Sequence, residues 1–135
     1  MDRMKRLMVP FLFVLVMAIG GIQWAVAQDN NSAKIEAKVS SHDFGTIKEG
    51  DGNVSCVFTV KNTGGSPLVI TRVISSCGCT TPEFTKEPIA PGKTGEIKVI
   101  YNPVGRVYPF SKTVSVYSNG KQGPLVLTIK GEVVK

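Results

Sequence analysis

Beyond residue 50, apolar and polar side chains alternate along most of this chain in short runs. Val54, Cys56, Phe58 and Val60 share one parity, and Ser55, Thr59 and Lys61 take the other. The pattern returns in Ile97, Val99 and Tyr101 against Glu96 and Lys98, and in Val114 and Val116 against Thr113 and Ser115. It returns again in Leu125, Leu127, Ile129 and Val133 against Thr128, Lys130 and Glu132. Successive side chains of an extended strand point to opposite faces, so such runs fit a sheet with one face buried. Residues 67–74 are apolar on both parities, which fits a strand that is central or that bulges midway. Turn residues divide the runs at Gly50-Asp51-Gly52-Asn53, Asn62-Thr63-Gly64-Gly65-Ser66-Pro67, Pro88-Ile89-Ala90-Pro91-Gly92, Asn102-Pro103-Val104-Gly105 and Ser118-Asn119-Gly120. No window carries a helical period. The expected fold is all-β: an immunoglobulin-like antiparallel β-sandwich of about seven strands.

The N-terminus has a different character. Arg3, Lys5 and Arg6 precede an apolar stretch from Leu7 to Ile22, and Ala25-Val26-Ala27 supplies small residues before Gln28. Charge, apolar run and small-x-small site in that order read as a secretory signal over residues 1–27. The protein is therefore expected in the periplasm, outside the cell or on its surface, with no stable membrane span once the signal is cut. Interruption by Pro10 and Gly20-Gly21 argues against an uncleaved anchor, and the first cysteine, Cys56, lies too far along for a lipid anchor at the cut. The polar residues 28–34 read as a loose leader, and 35–135 as one sandwich domain. Net charge is +6 over all 135 residues, and its basic residues are scattered without interleaved aromatics, so a nucleic-acid partner is not expected.

Several short motifs resemble one family. They are His42-Asp43-Phe44-Gly45-Thr46-Ile47 with Gly50, Asn62-Thr63-Gly64 followed by Pro67-Leu68-Val69-Ile70, Ser76-Cys77-Gly78-Cys79-Thr80, Ile89-Ala90-Pro91-Gly92 and Ser118-Asn119-Gly120. Together they make residues 38–134 resemble the exported bacterial domain of unknown function 1573, common in Bacteroidetes-type bacteria. That family is similar in pattern to modules of the major sperm protein and Hydin type. The resemblance implies an immunoglobulin-like fold and protein binding or scaffolding, and it implies no biochemical activity. Cys56 departs from the family pattern.

Chemistry is concentrated in Cys77-Gly78-Cys79. Three cysteines in an exported chain cannot all pair within it. Two thiolates one glycine apart can face a common point and hold copper or zinc, with a third ligand from Cys56, His42 or a second molecule. They can also exchange with disulfides, although the spacing and helix start usual for that work are missing. The structural alternative is a corner after strand 67–74, closed by a disulfide between Cys77 and Cys79 or from one of them to Cys56. Cys56 shares parity with the core residues and reads as a small buried apolar side chain. His42 and Asp43 are neighbours in a loop-like segment and face opposite ways, so they make no dyad. Ser75, Ser76, Thr80 and Thr81 read as satisfying backbone groups at the turn. No nucleophile with a base and no open metal site can be named, so an enzyme is not expected. The expected activity is binding of another cell-envelope protein through a sandwich face or a sheet edge; Val57, Ile100, Tyr117 and Val126 are outward apolar residues that either mark the contact or cover part of the core near an edge.

Overall fold

The strands expected from alternation pair into two stacked sheets. The structure is a computed structural model that describes residues 32–135; the expected export signal lies outside them. Strands β1 (Ile35–Ala37), β3 (Val54–Asn62), β6 (Thr94–Tyr101) and β5 (Thr80–Phe84) form one sheet in the order β1-β3-β6-β5. The other has the order β2-β8-β7-β4, from β2 (Ser41–Lys48), β8 (Leu125–Val134), β7 (Pro109–Ser118) and β4 (Ile70–Ser75). Among the described residues no helix is long and apolar enough to cross a membrane.

The inward parity of each run fills the space between the sheets. Phe58 and Val60 from β3, Ile97, Val99 and Tyr101 from β6, Val114 and Val116 from β7, and Leu127, Ile129 and Val133 from β8 are buried. Burying one such side chain contributes about 1.5–3 kcal/mol, so this layer is what holds the sheets together. Tyr101 stacks on Phe110 at 4.0 Å between ring centroids. Its hydroxyl is buried with no hydrogen-bond partner among the described residues. Tyr101→Phe is therefore expected to be neutral or to stabilise by up to ~1 kcal/mol in urea unfolding, since it removes a polar atom and keeps the stack. A loss larger than that would mean the hydroxyl has a partner.

The structure revises the expectations in three places. Segment 67–74 begins its strand only at Ile70, and its pairing with β7 slips between Ile70 and Arg72. The bulge, not a central position, explains its two-sided apolar pattern, because β4 is an edge strand. The loop-like segment around His42 is strand β2, which runs parallel to β8, with Ser41 opposite Thr128 and Lys48 opposite Val134. Every other pairing of named strands is antiparallel. The parallel pair exists because one N-terminal run serves both sheets: β1 pairs with β3, and Lys38–Ser40 then crosses to lay β2 beside β8. Finally, the leader is docked at its end, since Ala33 is buried and the Ser32 and Lys34 carbonyls accept from Gly65 and Thr63 N–H at 3.0 and 2.8 Å.

Asn62 ties that docked end to the sandwich. Its side chain is wholly buried, donates to the Ser66 and Ile89 carbonyls at 2.7 and 2.8 Å, and accepts from Gly64 and Lys34 N–H at 3.0 and 3.3 Å.

Candidate functional site

Cys77 and Cys79 are joined as a disulfide across the corner between β4 and β5, with their Cα atoms 5.2 Å apart. Ser75 braces the corner by donating its hydroxyl toward the Cys77 and Thr80 carbonyls, both at 2.9 Å. The Ser76 hydroxyl accepts from Thr113 N–H at 3.1 Å, and the Cys79 carbonyl accepts from Asn102 N–H at 2.9 Å. The serines and backbone thus lock the turn to both sheets. Joined sulfurs are not the thiolates that copper or zinc would need. Among the described residues no group of three or more His, Cys, Asp and Glu side chains comes together. Cys56 is free and half-buried, and burial pushes its thiol pKa up to about 11, which leaves it almost entirely protonated and a poor nucleophile at neutral pH. His42 lies edge-on against Phe44 at 4.6 Å, while the Asp43 carboxylate accepts from Gly45 N–H at 2.8 Å, so the two side chains have separate partners.

The four outward apolar residues do not form one patch. Val57 and Ile100 lie on the outer face of the β1-β3-β6-β5 sheet, and Tyr117 and Val126 on that of the other. Tyr117 is covered by the Arg72 guanidinium at 4.2 Å from its ring centre. Val57 and Val126 are the open ones, at 52% and 49% exposure.

What surrounds Val57 is an unpaired sheet edge. β1 is so short that it pairs only with Val60, Lys61 and Asn62. Among the described residues no strand flanks Val54–Thr59 on that side. The direction of the free groups follows from alternation. Asn62 N–H donates to Lys93 and its carbonyl accepts from Gly92, both on the β6 side, whereas Thr63 N–H donates to Lys34 on the β1 side. In an antiparallel strand the backbone groups turn to alternate sides residue by residue, so those of Ser55, Val57 and Thr59 point away from β6 into the open. Beside them runs a groove of about 500 Å³ lined by Lys38, Val39, His42, Val57, Thr59 and Lys61 among others, with Val39 at 61% exposure.

The remaining edges are blunted. β5 carries Pro82, β4 bulges at Ile70–Arg72, and β2 is broken between Asp43 and Thr46 by Gly45 at φ +69°. Prolines and bulges of this kind discourage further strand pairing. Val54–Thr59 has neither device and no charged residue. Nothing local in the sequence announces this edge, because it is created by where the distant β1 stops.

Comparison with known proteins agrees with this architecture. No curated protein matches the chain. Among solved structures it is similar to a protein of unknown function from Porphyromonas gingivalis W83, with 18% identity and a TM-score of 0.65 over 78% of this chain and 50% of that one. It is similar to the ASH / PapD-like domain 7 of human CEP192, with 12% identity and a TM-score of 0.63 over 78% and 88% of the two chains. A third likeness is to the VesB protease of Vibrio cholerae, at 16% identity and a TM-score of 0.56, but this chain spans only 32% of that protease. These identities speak to the fold alone, which is PapD-like and immunoglobulin-like. The chain matches the family model described as "Protein of unknown function (DUF1573)" over residues 35–133, and it belongs to that family.

Proposed function

We propose that this protein is an exported, non-enzymatic module that binds a protein partner in the cell envelope by accepting a strand along the free edge of β3. The observation that carries the reading is the contrast between edges: three are blunted, and Val54–Thr59 is left open beside an apolar groove. Backbone pairing would supply affinity there, and the pocket between Val39 and Val57 would select a side chain of the incoming strand. The charged n-region and apolar run at the N-terminus support the envelope as the compartment.

A photo-crosslinking amino acid in place of Val57 tests this in the producing cells. Adducts with an envelope protein are expected from position 57, and none from position 126 on the opposite sheet. Thr59→Pro should abolish them, because it removes an outward N–H while leaving the β6 ladder intact. Equal labelling from both positions, or none from 57, would reject the edge as the binding site.

A further inference from the structure

The free edge of β3 is complementary to itself. We infer that its occupant is a second copy of this chain, paired antiparallel through Val54–Thr59 about a two-fold axis at Val57. This rests on the reading of the edge as a strand acceptor and names what it accepts.

The backbone fixes the register. Ser55, Val57 and Thr59 hold the outward groups, and a two-fold axis at Val57 sets them opposite Thr59, Val57 and Ser55 of the second copy. Each of those opposed pairs exchanges two N–H···O=C bonds, so this alignment engages every outward group of the stretch. Moving the axis by one residue leaves one of the three without a facing partner. The side chains agree with the choice. On the outer face Val57 meets its own copy, and the small hydroxyl residues Ser55 and Thr59 meet each other, both favourable cross-strand pairs. On the inner face the half-buried Cys56 comes opposite Phe58 of the second copy, whose side chain stays buried in its own core. Pairing ends where β1 begins, at Val60.

Charge favours the antiparallel sense as well. Lys38 and Lys61 line the groove at the end of the open stretch next to β1, and Glu36 in the same groove is held by Lys34 at 3.1 Å. The opposite end follows the exposed Asp51. The two-fold axis brings Asn53 of the second copy to Lys61 and carries its Asp51 toward that basic end, and it does so twice. A parallel arrangement would set basic end against basic end.

Sedimentation equilibrium of the purified protein, from about 10 µM to 1 mM, should show a weak reversible dimer, as befits a short interface. Val57→Lys and Val57→Asp should each weaken it at least ~30-fold, by placing like charges on the axis. An equimolar mixture of the two should restore dimers, which loss of structure could not do. If Val57→Lys is misfolded by circular dichroism, the double variant Ser55→Lys/Thr59→Lys takes its place, since the axis sets each of those lysines opposite the other in the second copy, and it should weaken the dimer likewise. A protein monomeric throughout, or a Val57→Lys variant that dimerises unchanged, overturns the inference. Monomers that still give envelope adducts from position 57 would reject the second copy while keeping the edge as a binding site. Monomers without adducts would reject both.

Discussion

Asn62→Leu is expected to destabilise the domain by about 4 kcal/mol, read as a lowered urea midpoint with an unchanged slope. The side chain is fully buried and every one of its polar positions is used. Its amide nitrogen bonds the Ser66 and Ile89 carbonyls, and its oxygen takes Gly64 and Lys34 N–H. Leucine has the right size but leaves the Ser66 carbonyl and the Gly64 and Lys34 N–H groups without this partner at a partly buried turn, while the Ile89 carbonyl keeps only its bond from Leu68 N–H. Each buried group so orphaned costs about 1–3 kcal/mol, and partial relaxation keeps the sum below the simple total. A domain of this size has about 5–15 kcal/mol to lose, so the variant should unfold readily on warming. Asn62→Asp separates shape from bonding. It keeps the acceptor for Gly64 and Lys34, loses both donations, and sets a carboxylate near two carbonyls, so it should also be strongly destabilising. A cost below ~1 kcal/mol for the leucine variant would mean that the network is not what secures this turn.

Gly64→Ala is expected to cost about 3 kcal/mol at a neighbouring point, by overpacking. A methyl group on Gly64 would run into the Ser32 carbonyl oxygen and come within 2.6 Å of the Lys34 nitrogen. The obstacle is backbone on both counts and cannot swing aside as a flexible side chain would. Relief requires residues 32–34 to lift off, which breaks the bonds from Gly65 N–H to Ser32 and from Thr63 N–H to Lys34. Hydrogen exchange should accordingly speed up at Gly65 and Thr63 far more than in the central pairing of β7 with β8. Uniform acceleration across the domain would show instead that the N-terminal run is not a separable unit.

The sandwich was legible because its central strands obey a strict two-residue period. β3, β6, β7 and β8 each bury one parity, and a slip of one residue would expose the whole set. β2 was hidden for the converse reason. It is an edge strand, exposed along most of its length, so Ser41–Lys48 shows no alternation to detect. Asn62-Thr63-Gly64 read correctly as a turn, yet the role of Asn62 depends on Ile89, 27 residues away, and on Lys34, 28 residues away. The concentrated signal at Cys77-Gly78-Cys79 marked a corner braced by serines and backbone, whereas the open stretch of β3 has no signature of its own. Its residues are those of any half-buried strand, and only the early departure of β1 leaves it bare.

The run that serves both sheets also sets an order of events. β2 is held by β8, with His42 beside Ile129 and Ser40 bonded to Thr128, so the second strand to appear waits for the last. A chain emerging N-terminus first can assemble the hairpins of its middle as they arrive, but the β2–β8 seam cannot close until Leu125–Val134 is free. Contacts so far apart in sequence form slowly. A chain that ends before β8 leaves β2 and one side of β7 unpaired and lacks Leu127, Ile129 and Val133, so its interior stays open.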